Sequence, residues 1–402
     1  MKIVQINAVY GSSSTGRTVQ QLHEYLKGQG HDSWVYYSVS TPSSTKKDLI
    51  GGYFDHKVHA LFSRLFGLQA YFSSLPTLKL IRKLKGISPD VVILRNFHSN
   101  YINLPMLTRF LAKNDIPTVA VLHDCWFYTG HCCHYTEVGC MKWKEECNHC
   151  PLIHSDNKSL FFDTSRKVFR DKRSLFGNIP RLAVVGVSDW ITNEAKQSPV
   201  FEKAAIVNRI YNWIDLNIFK PQNNTQAVRT RLGFSNTDFV ALGVSMSWSY
   251  KKGEGAFIEL AKKMPDIKVL MVGEMSNNNL PANVKNIPPT SSVKDLAELY
   301  SMADVFLNFS IQESFGKVAA EALACGTPLI VNNATANPEI PGNCGYVVEN
   351  NDIDAIIGAV SEIKKKGKEY YQLRCVERVH TLFNIDTNIE AYISLFQKLQ
   401  SI

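Results

Sequence analysis

The sequence has no long hydrophobic run and no secretory segment at its start. None of its apolar stretches approaches the roughly 20 residues that cross a bilayer. The first fifteen residues lack a basic stretch followed by an apolar one, and residues 2–9 have the pattern of a strand. We therefore expect a cytoplasmic protein, in which the nine cysteines would not form disulfide bonds.

The sequence also lacks repeats and a recognisable nucleic-acid-binding module, and its one candidate metal-binding motif has another explanation. There are no internal repeats or low-complexity tracts, and no nucleic-acid-binding module accompanies the net charge of +8, so we expect no nucleic-acid partner. The one Asp-x-Asp sequence, Asp352 to Asp354, opens a predicted amphipathic helix, where acidic residues are ordinary caps. We therefore expect catalysis to require no metal ion or other cofactor.

Strand and helix patterns alternate along the whole chain, which is typical of an α/β protein with parallel sheets. A chain of 402 residues, 45% of them hydrophobic, is long enough for two domains with separate cores. The predicted strands are 2–9, 33–39, 90–94, 118–123, 182–187, 206–208, 239–245, 268–272, 304–308 and 329–331. The predicted helices are 18–29, 101–113, 159–176, 189–197, 256–264, 293–301, 316–324, 352–366 and 388–399.

Two carboxylates eight positions apart form the most informative pattern. Glu313 stands just before a helix predicted to begin at Gly316, and Glu321 follows a little over two turns later. At about 100° per residue the two side chains would be roughly 80° apart, so both can border one cleft. Gly316 lets a ligand approach the helix N-terminus, where N–H groups and the macrodipole favour a phosphate. This pattern predicts a nucleotide-sugar site.

These residues resemble the E-x7-E element of the retaining family-4 glycosyltransferases, which have the GT-B fold. The resemblance implies two Rossmann-like domains whose parallel sheets face an interdomain cleft, and a UDP- or GDP-sugar as donor. It implies that Glu313 lies near the donor sugar and that Glu321 holds the nucleotide ribose. It assigns the contact with the diphosphate to Ser314, Phe315, Gly316 and Lys317.

A polar, turn-prone stretch after Pro221 indicates a domain boundary between 206 and 226. Residues 210–221 are similar to the family's hinge segment, although Trp213 replaces its usual Gly. We expect an acceptor-binding domain at 1–205 with a Cys-rich loop at 124–155, a nucleotide-sugar-binding domain at 206–380, and, from the resemblance, a final segment 381–402 whose helix returns to the first domain.

Lys252 follows a predicted strand and precedes a helix, a position at which open α/β sheets bind ligands. The resemblance implies that Lys252 contacts the diphosphate, whereas the plain alternative is a solvated lysine. Met246 stands where the family often has an Arg. Lys251 or Lys317 could supply the missing charge.

His123 and Asp124 end the strand predicted at 118–123. The resemblance implies that His123 lies close to the transferred sugar, although a lone His is more often structural. Asp124 could orient the imidazole of His123 or approach the acceptor hydroxyl as a base.

The loop from Gly11 to Arg17 links the first predicted strand to the first helix. Gly16 would admit close backbone approach and Arg17 would lie near the helix start, so we expect a phosphate or acceptor loop. The sequence matches neither the G-x-G-x-x-G nor the P-loop pattern, and a plain flexible loop is the alternative.

Five cysteines crowd a short stretch that ends in Cys147-Asn148-His149-Cys150. This C-x2-C spacing lets two thiolates bind one tetrahedral ion, and Cys140 with Cys132 or Cys133 could complete a structural zinc site. Reduced thiols packed in a loop and redox chemistry are the alternatives. Residues 129–151 resemble a segment of family-4 enzymes that make bacterial surface polysaccharides of the colanic-acid type.

Residues 56–85 combine basic and apolar side chains. Such a segment can lie on an anionic membrane surface, so we expect peripheral contact with the cytoplasmic face of the inner membrane. Two ordinary core-facing helices with solvated Lys and Arg are the alternative.

Together these features predict a retaining glycosyltransferase of surface-polysaccharide biosynthesis. It would move a hexose from a nucleotide-diphosphate sugar to a glycan or polyprenyl-diphosphate-linked acceptor, with His123, Glu313 and Lys252 at the reaction centre. A nucleotide-sugar epimerase of the same fold, and a zinc-stabilised binding protein without catalysis, are the alternatives.

Overall fold

The structure is a computed structural model that describes residues 1–39, 48–276, 279–290, 292–350 and 352–402. The chain divides into two compact units. Unit 1 comprises Met1–Ile210 and Ile389–Ile402, and unit 2 comprises Tyr211–Asn388. Each unit has a parallel sheet of six strands among its described residues, which confirms the predicted α/β class.

In unit 1 the strands lie in the order β2-β1-β3-β4-β5-β6. Its elements are β1 (Lys2–Ile6), α1 (Ser13–Gly28), β2 (Asp32–Tyr36), α2 (Tyr53–Phe66), α3 (Ser74–Ile87), β3 (Val91–Leu94), α4 (Leu104–Lys113), β4 (Thr118–Leu122), α5 (Ser165–Gly177), β5 (Leu182–Gly186), α6 (Asp189–Gln197) and β6 (Ile206–Arg209). Every residue of β3, β4 and β5 is buried, because a parallel sheet is covered on both faces and its strands therefore have continuous hydrophobic sequences.

In unit 2 the strands lie in the order β12-β11-β10-β7-β8-β9. Its elements are α7 (Thr225–Arg231), β7 (Val240–Ser247), α8 (Glu254–Lys263), β8 (Lys268–Glu274), β9 (Val284–Ile287), α9 (Val293–Met302), β10 (Val305–Asn308), α10 (Lys317–Ala324), β11 (Leu329–Asn332), β12 (Gly345–Val348), α11 (Ile353–Lys366) and α12 (Glu369–Leu382). The last helix, α13 (Ile385–Gln400), begins in unit 2, and from Ile389 onward it belongs to unit 1.

Each sheet has one point at which its strand order reverses. In unit 1, β2 and β3 lie on opposite sides of β1. In unit 2, β8 and β10 lie on opposite sides of β7. Open α/β sheets bind ligands beyond the carboxyl ends of the strands at such a switch point. We therefore expect a ligand-binding site at the segments that follow β1, β3, β7 and β10.

Helices α1 and α5 begin furthest from their predicted starts. Helix α1 starts at Ser13 instead of residue 18, so Gly16 lies inside the helix. Helix α5 starts at Ser165 instead of residue 159. There the Asp163 carboxylate accepts a hydrogen bond at 2.9 Å from the backbone N–H of Ser165, which has no partner within the helix.

Four elements of unit 2 were not predicted at all, namely α7, β9, β12 and α12. Strands β9 and β12 lie at the two edges of the sheet, and most of their residues are partly exposed. Because such edge strands lack a continuous hydrophobic run, the pattern that revealed the central strands is absent from them.

The basic and apolar segment 56–85 forms α2 and α3, joined by a turn. Neither of these helices, nor any other in the described part of the chain, is both long and apolar enough to span a bilayer.

Trp213, which replaces the usual glycine of the hinge segment, is buried. The N–H of the following Ile214 donates to the carbonyl of Phe383 at 2.9 Å.

Candidate active site

Lys252 and Glu313 face each other beyond the carboxyl ends of two neighbouring strands in unit 2. Lys252 follows β7 and Glu313 follows β10, and these strands pair at the switch point. The Nζ atom of Lys252 lies 2.7 Å from Oε1 of Glu313 and 3.3 Å from Oγ of Ser310. The side chains are 39% and 19% exposed, so a ligand can reach both.

Gly253 fixes the turn that carries Lys252. Residues Tyr250–Lys252 form a 3-10 turn, after which Gly253 adopts the left-handed φ of +74°. A Cβ atom at Gly253 would lie only 2.4 Å from the Cβ atom of Phe309, which directly follows β10. Only glycine allows the segment after β7 to come this close to the segment after β10.

The loop that carries Glu313 is held by the segment after β11. The backbone N–H of Glu313 donates to Oγ1 of Thr335 at 2.9 Å, and its carbonyl accepts from the N–H of Ala336 at 3.2 Å. Thr335 has a φ of +51°, an unfavourable conformation for a β-branched residue. The Asn337 side chain adds a hydrogen bond to the carbonyl of Ser310 at 2.7 Å. These contacts fix the backbone beside the carboxylate.

Helix α10 begins directly after this loop, with Gly316 as its N-cap at φ +86°. A Cβ atom there would meet no atom closer than 3.6 Å, so the left-handed conformation, not crowding, favours glycine. The preceding Phe315 is buried, and its ring packs edge-to-face on that of Phe383 at 5.2 Å. This packing fixes the chain at the start of α10, four residues after Glu313, where the first N–H groups of the helix have no partner within it.

Glu321 lies in the second turn of α10, not beyond two turns as the sequence analysis assumed. Because the helix begins at Lys317, Glu313 is outside it, and the predicted angle of 80° between the two carboxylates does not apply. Glu321 is buried, and its Oε2 atom accepts a hydrogen bond from the hydroxyl of Tyr300 at 3.2 Å. Its role as a ribose ligand stays a prediction.

The position where an Arg was expected is exposed. Met246 lies near the end of β7 with 76% of its surface accessible and contributes no charge. The ammonium of Lys251 lies over the ring of Tyr250, 5.9 Å from its centroid. Lys317 and Ser314 are half-buried around the start of α10. The contacts of Lys252 with Glu313 and Ser310 place its ammonium at the switch point.

In unit 1, His123 accepts a hydrogen bond from an arginine that the sequence analysis missed. His123 follows β4, and Arg95 follows the neighbouring strand β3. The Nη1 atom of Arg95 lies 2.9 Å from Nε2 of His123. A guanidinium can only donate, so Nε2 carries no proton, and the neutral imidazole carries its proton on Nδ1. His123 thus has a fixed tautomer with an N–H donor at Nδ1.

Arg95 itself is completely buried. Burial lowers the pKa of Arg95, and the nearby phenol of Tyr392 acts in the opposite direction. Tyr392 belongs to the part of α13 that lies in unit 1. An arginine directly after a strand of four apolar residues was the available sequence signal for this contact.

The carboxylate of Asp124 contacts a histidine that the sequence analysis did not single out. Its Oδ2 atom lies 2.9 Å from Nε2 of His98, and its Oδ1 atom accepts from the backbone N–H of Trp126 at 2.8 Å. Burial alone would raise the pKa of Asp124, but the ion pair with His98 and the amide donor lower it to about 2. A carboxylate of that pKa is a weak base, so the geometry favours a structural role.

The segment from Gly11 to Arg17 is not the open loop that was expected. Gly16 is buried inside α1, and a Cβ atom there would lie 3.1 Å from Cγ2 of Val9. The carbonyl of Gly16 accepts a hydrogen bond from the N–H of Gly11 at 3.1 Å. Gly16 therefore serves the packing of α1 on the preceding turn. Arg17 lies within the first two turns of the helix.

The four cysteines proposed as zinc ligands do not form a closed site. The thiols of Cys132 and Cys150 share a hydrogen bond, which raises the pKa of Cys132 and lowers that of Cys150. Cys147 accepts from the N–H of Gly130 at 3.2 Å, and burial raises its pKa to about 12. A structural zinc stays a prediction that elemental analysis of the purified protein tests.

A different trio meets the distance requirement for a metal site. In the described part of the chain, His98, Asp124 and Cys133 are the one group of at least three such side chains whose ligand atoms all lie within 4.8 Å. Cys133 was considered as an alternative to Cys132 in the sequence analysis. The ion pair between His98 and Asp124 accounts for the proximity of two of the three.

Sequence models of two glycosyltransferase families match the chain. The model described as Glycosyltransferase Family 4 matches residues 15–217, which is half of the chain. The chain belongs to glycosyltransferase family 4. The model described as Glycosyl transferases group 1 matches residues 229–377, within unit 2. Both matches confirm the predicted family.

Curated relatives of this family-4 chain carry the names of glycosyl-transferring enzymes. It is 25% identical over 226 residues to N-acetyl-alpha-D-glucosaminyl L-malate synthase of Bacillus anthracis, covering 53% of this chain and 58% of that one. It is 43% identical over 63 residues to O-antigen chain mannosyltransferase B of Escherichia coli, covering 16% of each. The chain therefore matches 58% of the length of the first relative and 16% of the length of the second.

Solved structures confirm the GT-B architecture of the family-4 chain. The Anabaena protein HepE in complex with UDP-glucose is similar over 100% of both chains, with a TM-score of 0.63 and 16% sequence identity. At that identity the similarity establishes the fold alone. The expectation of two Rossmann-like domains with parallel sheets is confirmed.

Proposed function

We propose that this family-4 protein is a retaining glycosyltransferase that uses a UDP- or GDP-hexose as donor. The acceptor would be a glycan or a polyprenyl-diphosphate-linked sugar in surface-polysaccharide biosynthesis. The observation that carries the proposal is the contact of Lys252 with Glu313 at 2.7 Å, next to the chain segment that starts α10 at the switch point of unit 2.

This arrangement suits a leaving nucleoside diphosphate. When the glycosidic carbon separates from the donor, negative charge grows on the phosphate oxygen that leaves. Lys252 supplies a positive charge there, and the first N–H groups of α10 supply aligned dipoles, as an anion site requires. Glu313, released from Lys252 when phosphate takes its place, can accept hydrogen bonds from the hexose hydroxyls.

We propose that no metal ion takes part at the diphosphate. The positive charge comes from the Lys252 ammonium and the helix amides. The two acidic residues of the Asp-x-Asp sequence have other contacts, since Asp352 accepts from the N–H of Ala355 at 2.9 Å and Asp354 lies 3.3 Å from Nζ of Lys263. Asp352 is the N-cap of α11, and Asp354 lies in its first turn.

The remaining donor contacts that we propose are those that the family resemblance implies. Glu321 would bind the ribose hydroxyls, with Tyr300 orienting its carboxylate through the hydrogen bond at 3.2 Å. His123 would donate from Nδ1 to the sugar being transferred, which the hydrogen bond from Arg95 to Nε2 supports. Gly11 and Arg17 remain candidates for acceptor binding.

The names of relatives support these choices without deciding them. HepE of Anabaena was crystallised with UDP-glucose, a nucleotide-diphosphate sugar. The Escherichia coli relative is called an O-antigen chain mannosyltransferase, which favours a role in surface glycans and a hexose as the transferred group.

A donor screen tests the proposal. Purified protein is incubated with UDP- and GDP-hexoses, with and without polyprenyl-diphosphate-linked sugars, and released nucleotide is measured. We expect one donor class to release nucleotide, with a faster rate when acceptor is present, and a product whose anomeric configuration equals that of the donor. An epimerised donor formed without any acceptor would show the epimerase instead.

A matched variant separates the enzyme from a binding protein without catalysis. Glu313→Gln keeps the size of the side chain and removes its charge, so nucleotide release by the protein should fall by about 100-fold or more. Release that persists unchanged in this variant, or no release from any donor by the natural protein, would contradict the proposal.

A further inference from the structure

Helix α2 of unit 1 has its polar and apolar faces reversed relative to an ordinary surface helix. Of its 14 residues only His59 and Ser63 are buried, and His59 Nδ1 lies 2.6 Å from Oγ of Ser73. On the outer side, Tyr53 and Phe54 are 79% and 78% exposed, and Leu61 is 55% exposed. A helix that packs on a core normally buries its apolar stripe, so this one presents it to a partner.

A second apolar segment is fixed beside the end of α2. Leu160, Phe161 and Phe162 are 56%, 72% and 53% exposed. The N–H of Leu160 donates to the carbonyl of Arg64 at 2.7 Å, and the ring of Phe162 stacks on that of Phe66 at 5.8 Å. These contacts hold the segment in place, so its exposed side chains form a built surface together with α2.

The start of α3 extends the same surface. Leu75 is 70% exposed, and it lines a shallow cavity of about 160 Å³ together with Phe54 and Phe72. Phe72 in turn lies 5.5 Å from the ring of Phe62 in α2. We call this surface the apolar face, and its principal exposed members are Phe54, Leu61, Phe66, Leu75, Phe161 and Phe162.

Basic side chains outnumber acidic ones in the segments that carry the apolar face, in which residues 158–163 have one of each, Lys158 and Asp163. Between residues 53 and 85 the chain has six basic residues and one acidic residue, Asp55. Lys57 and Arg64 are exposed and lie seven positions apart on α2, so they share one side of the helix, next to its apolar stripe. Lys79, Arg82 and Lys85 are exposed on α3. Apolar side chains beside an excess of positive charge match the chemistry of one kind of partner, a layer of anionic headgroups over acyl chains.

We propose that the apolar face docks on the surface of an anionic lipid bilayer. Its aromatic and leucine side chains would enter the boundary between headgroups and acyl chains, while the lysines and arginines contact the lipid phosphates. The inference does not depend on the proposed transferase activity. It adds a reason why the enzyme would meet a polyprenyl-linked acceptor, which is itself confined to a membrane.

Vesicle co-sedimentation tests this docking. The full chain is mixed with vesicles of phosphatidylcholine alone, or of phosphatidylcholine and phosphatidylglycerol in equal parts. We expect binding to the anionic vesicles that weakens at least about tenfold in the triple variant Phe54→Ser, Leu61→Ser, Phe161→Ser. The variant Lys79→Gln, Arg82→Gln, Lys85→Gln should lose about as much on anionic vesicles and change little on neutral ones.

Matched controls make the result specific. Tyr370→Ser with Leu373→Ser removes two side chains of unit 2 that are 47% and 68% exposed, and it should bind vesicles like the natural protein. All variants should keep the same thermal unfolding midpoint and the same affinity for UDP or GDP, because none of the changed residues belongs to the proposed donor site.

Three outcomes would overturn the proposal. The natural protein could fail to sediment with anionic vesicles, or the first triple variant could bind them as well as the natural protein. Alternatively, sedimentation equilibrium could show a dimer that the same variant dissociates while vesicle binding stays unchanged, and a second copy of this chain would then be the partner. Each of these results is independent of whether the protein transfers a sugar.

Discussion

The ammonium nitrogen of Lys252 lies 2.7 Å from a carboxylate oxygen of Glu313, which is 61 positions further along the chain. The two meet because β7 and β10 are neighbours in the sheet although two strands separate them in sequence. A partly exposed ion pair contributes only about 0–1 kcal/mol, whereas a hydrogen bond from an ammonium to a phosphate contributes about 1.5–3 kcal/mol. A diphosphate can therefore displace Glu313 from Lys252.

Glu313→Gln should separate binding from catalysis. In this variant the Glu313 carboxylate no longer competes with the phosphate for Lys252. The affinity for UDP or GDP should therefore stay equal or rise by up to about fivefold. The rate of sugar transfer should fall by about 100-fold or more, because the variant lacks the carboxylate that we propose binds the reacting sugar. Calorimetry with the free nucleotide and steady-state kinetics measure the two effects. A nucleotide affinity reduced more than tenfold would contradict this division of roles.

The tautomer of His123 predicts which isosteric replacement retains activity. The side-chain nitrogen of Asn stands near the position of Nδ1 in His, and that of Gln near the position of Nε2. Because Arg95 donates to Nε2, the N–H that can serve a sugar is at Nδ1. His123→Asn should therefore keep about tenfold more activity than His123→Gln, the difference of one hydrogen bond. The reverse order in kcat/KM would show that Nε2 is the functional atom.

The ion pair of Asp124 with His98 predicts a loss of stability in acid. The pKa of Asp124 is lowered to about 2 in the folded chain, from an ordinary value of 3.8. Its stabilising contribution is therefore complete above about pH 4 and is lost as the pH falls toward 2. His98, whose pKa is raised by Asp124 against the effect of burial, adds stability at low pH that disappears as the pH rises through its folded value.

Asp124→Asn tests both statements. We expect this variant to lower the free energy of unfolding by about 2 kcal/mol near pH 5, where both groups are charged, and by clearly less at pH 3. Urea unfolding at the two pH values measures the difference. An equal loss at pH 3 and pH 5 would mean that the charge of Asp124 is not what stabilises this part of unit 1.

Alanine substitutions at two glycines close to Lys252 in sequence should have opposite effects on stability. Gly253→Ala places a Cβ atom 2.4 Å from that of Phe309 at a left-handed φ, so it should destabilise unit 2 by about 2 kcal/mol or more. Gly255 lies in α8 with no atom within 4 Å of an added Cβ, so Gly255→Ala should stabilise by about 0.5–1 kcal/mol. Thermal unfolding distinguishes the two variants, and equal midpoints would contradict the crowding at Gly253.

The sequence was sufficient to predict the elements whose residues carry a local signal. The apolar runs of β3, β4 and β5 are continuous because both faces of the sheet are covered. Helix α6 has its predicted bounds, because Ser188 caps it by accepting a hydrogen bond from the N–H of Ile191 at 3.3 Å. The E-x7-E element likewise identified the family from a few residues.

The contacts in the candidate site depend on strand adjacency, which the sequence did not supply. Arg95 reaches His123, 28 positions away, only because β3 and β4 pair in parallel. Asp124 reaches His98 for the same reason, and the sequence analysis did not predict this pair. No local sequence pattern identifies either pair of contacting residues. Their identification needed the order of strands in the sheet.

The most direct test of the account is the affinity of Lys252→Ala for the nucleoside diphosphate of its donor, measured by isothermal calorimetry. Lys262→Ala is the control, because it removes the same charge from an exposed position on α8. We expect Lys252→Ala to weaken binding by about 1.5–3 kcal/mol and Lys262→Ala to leave it unchanged. An affinity of Lys252→Ala within twofold of that of the natural protein would contradict the proposed diphosphate site.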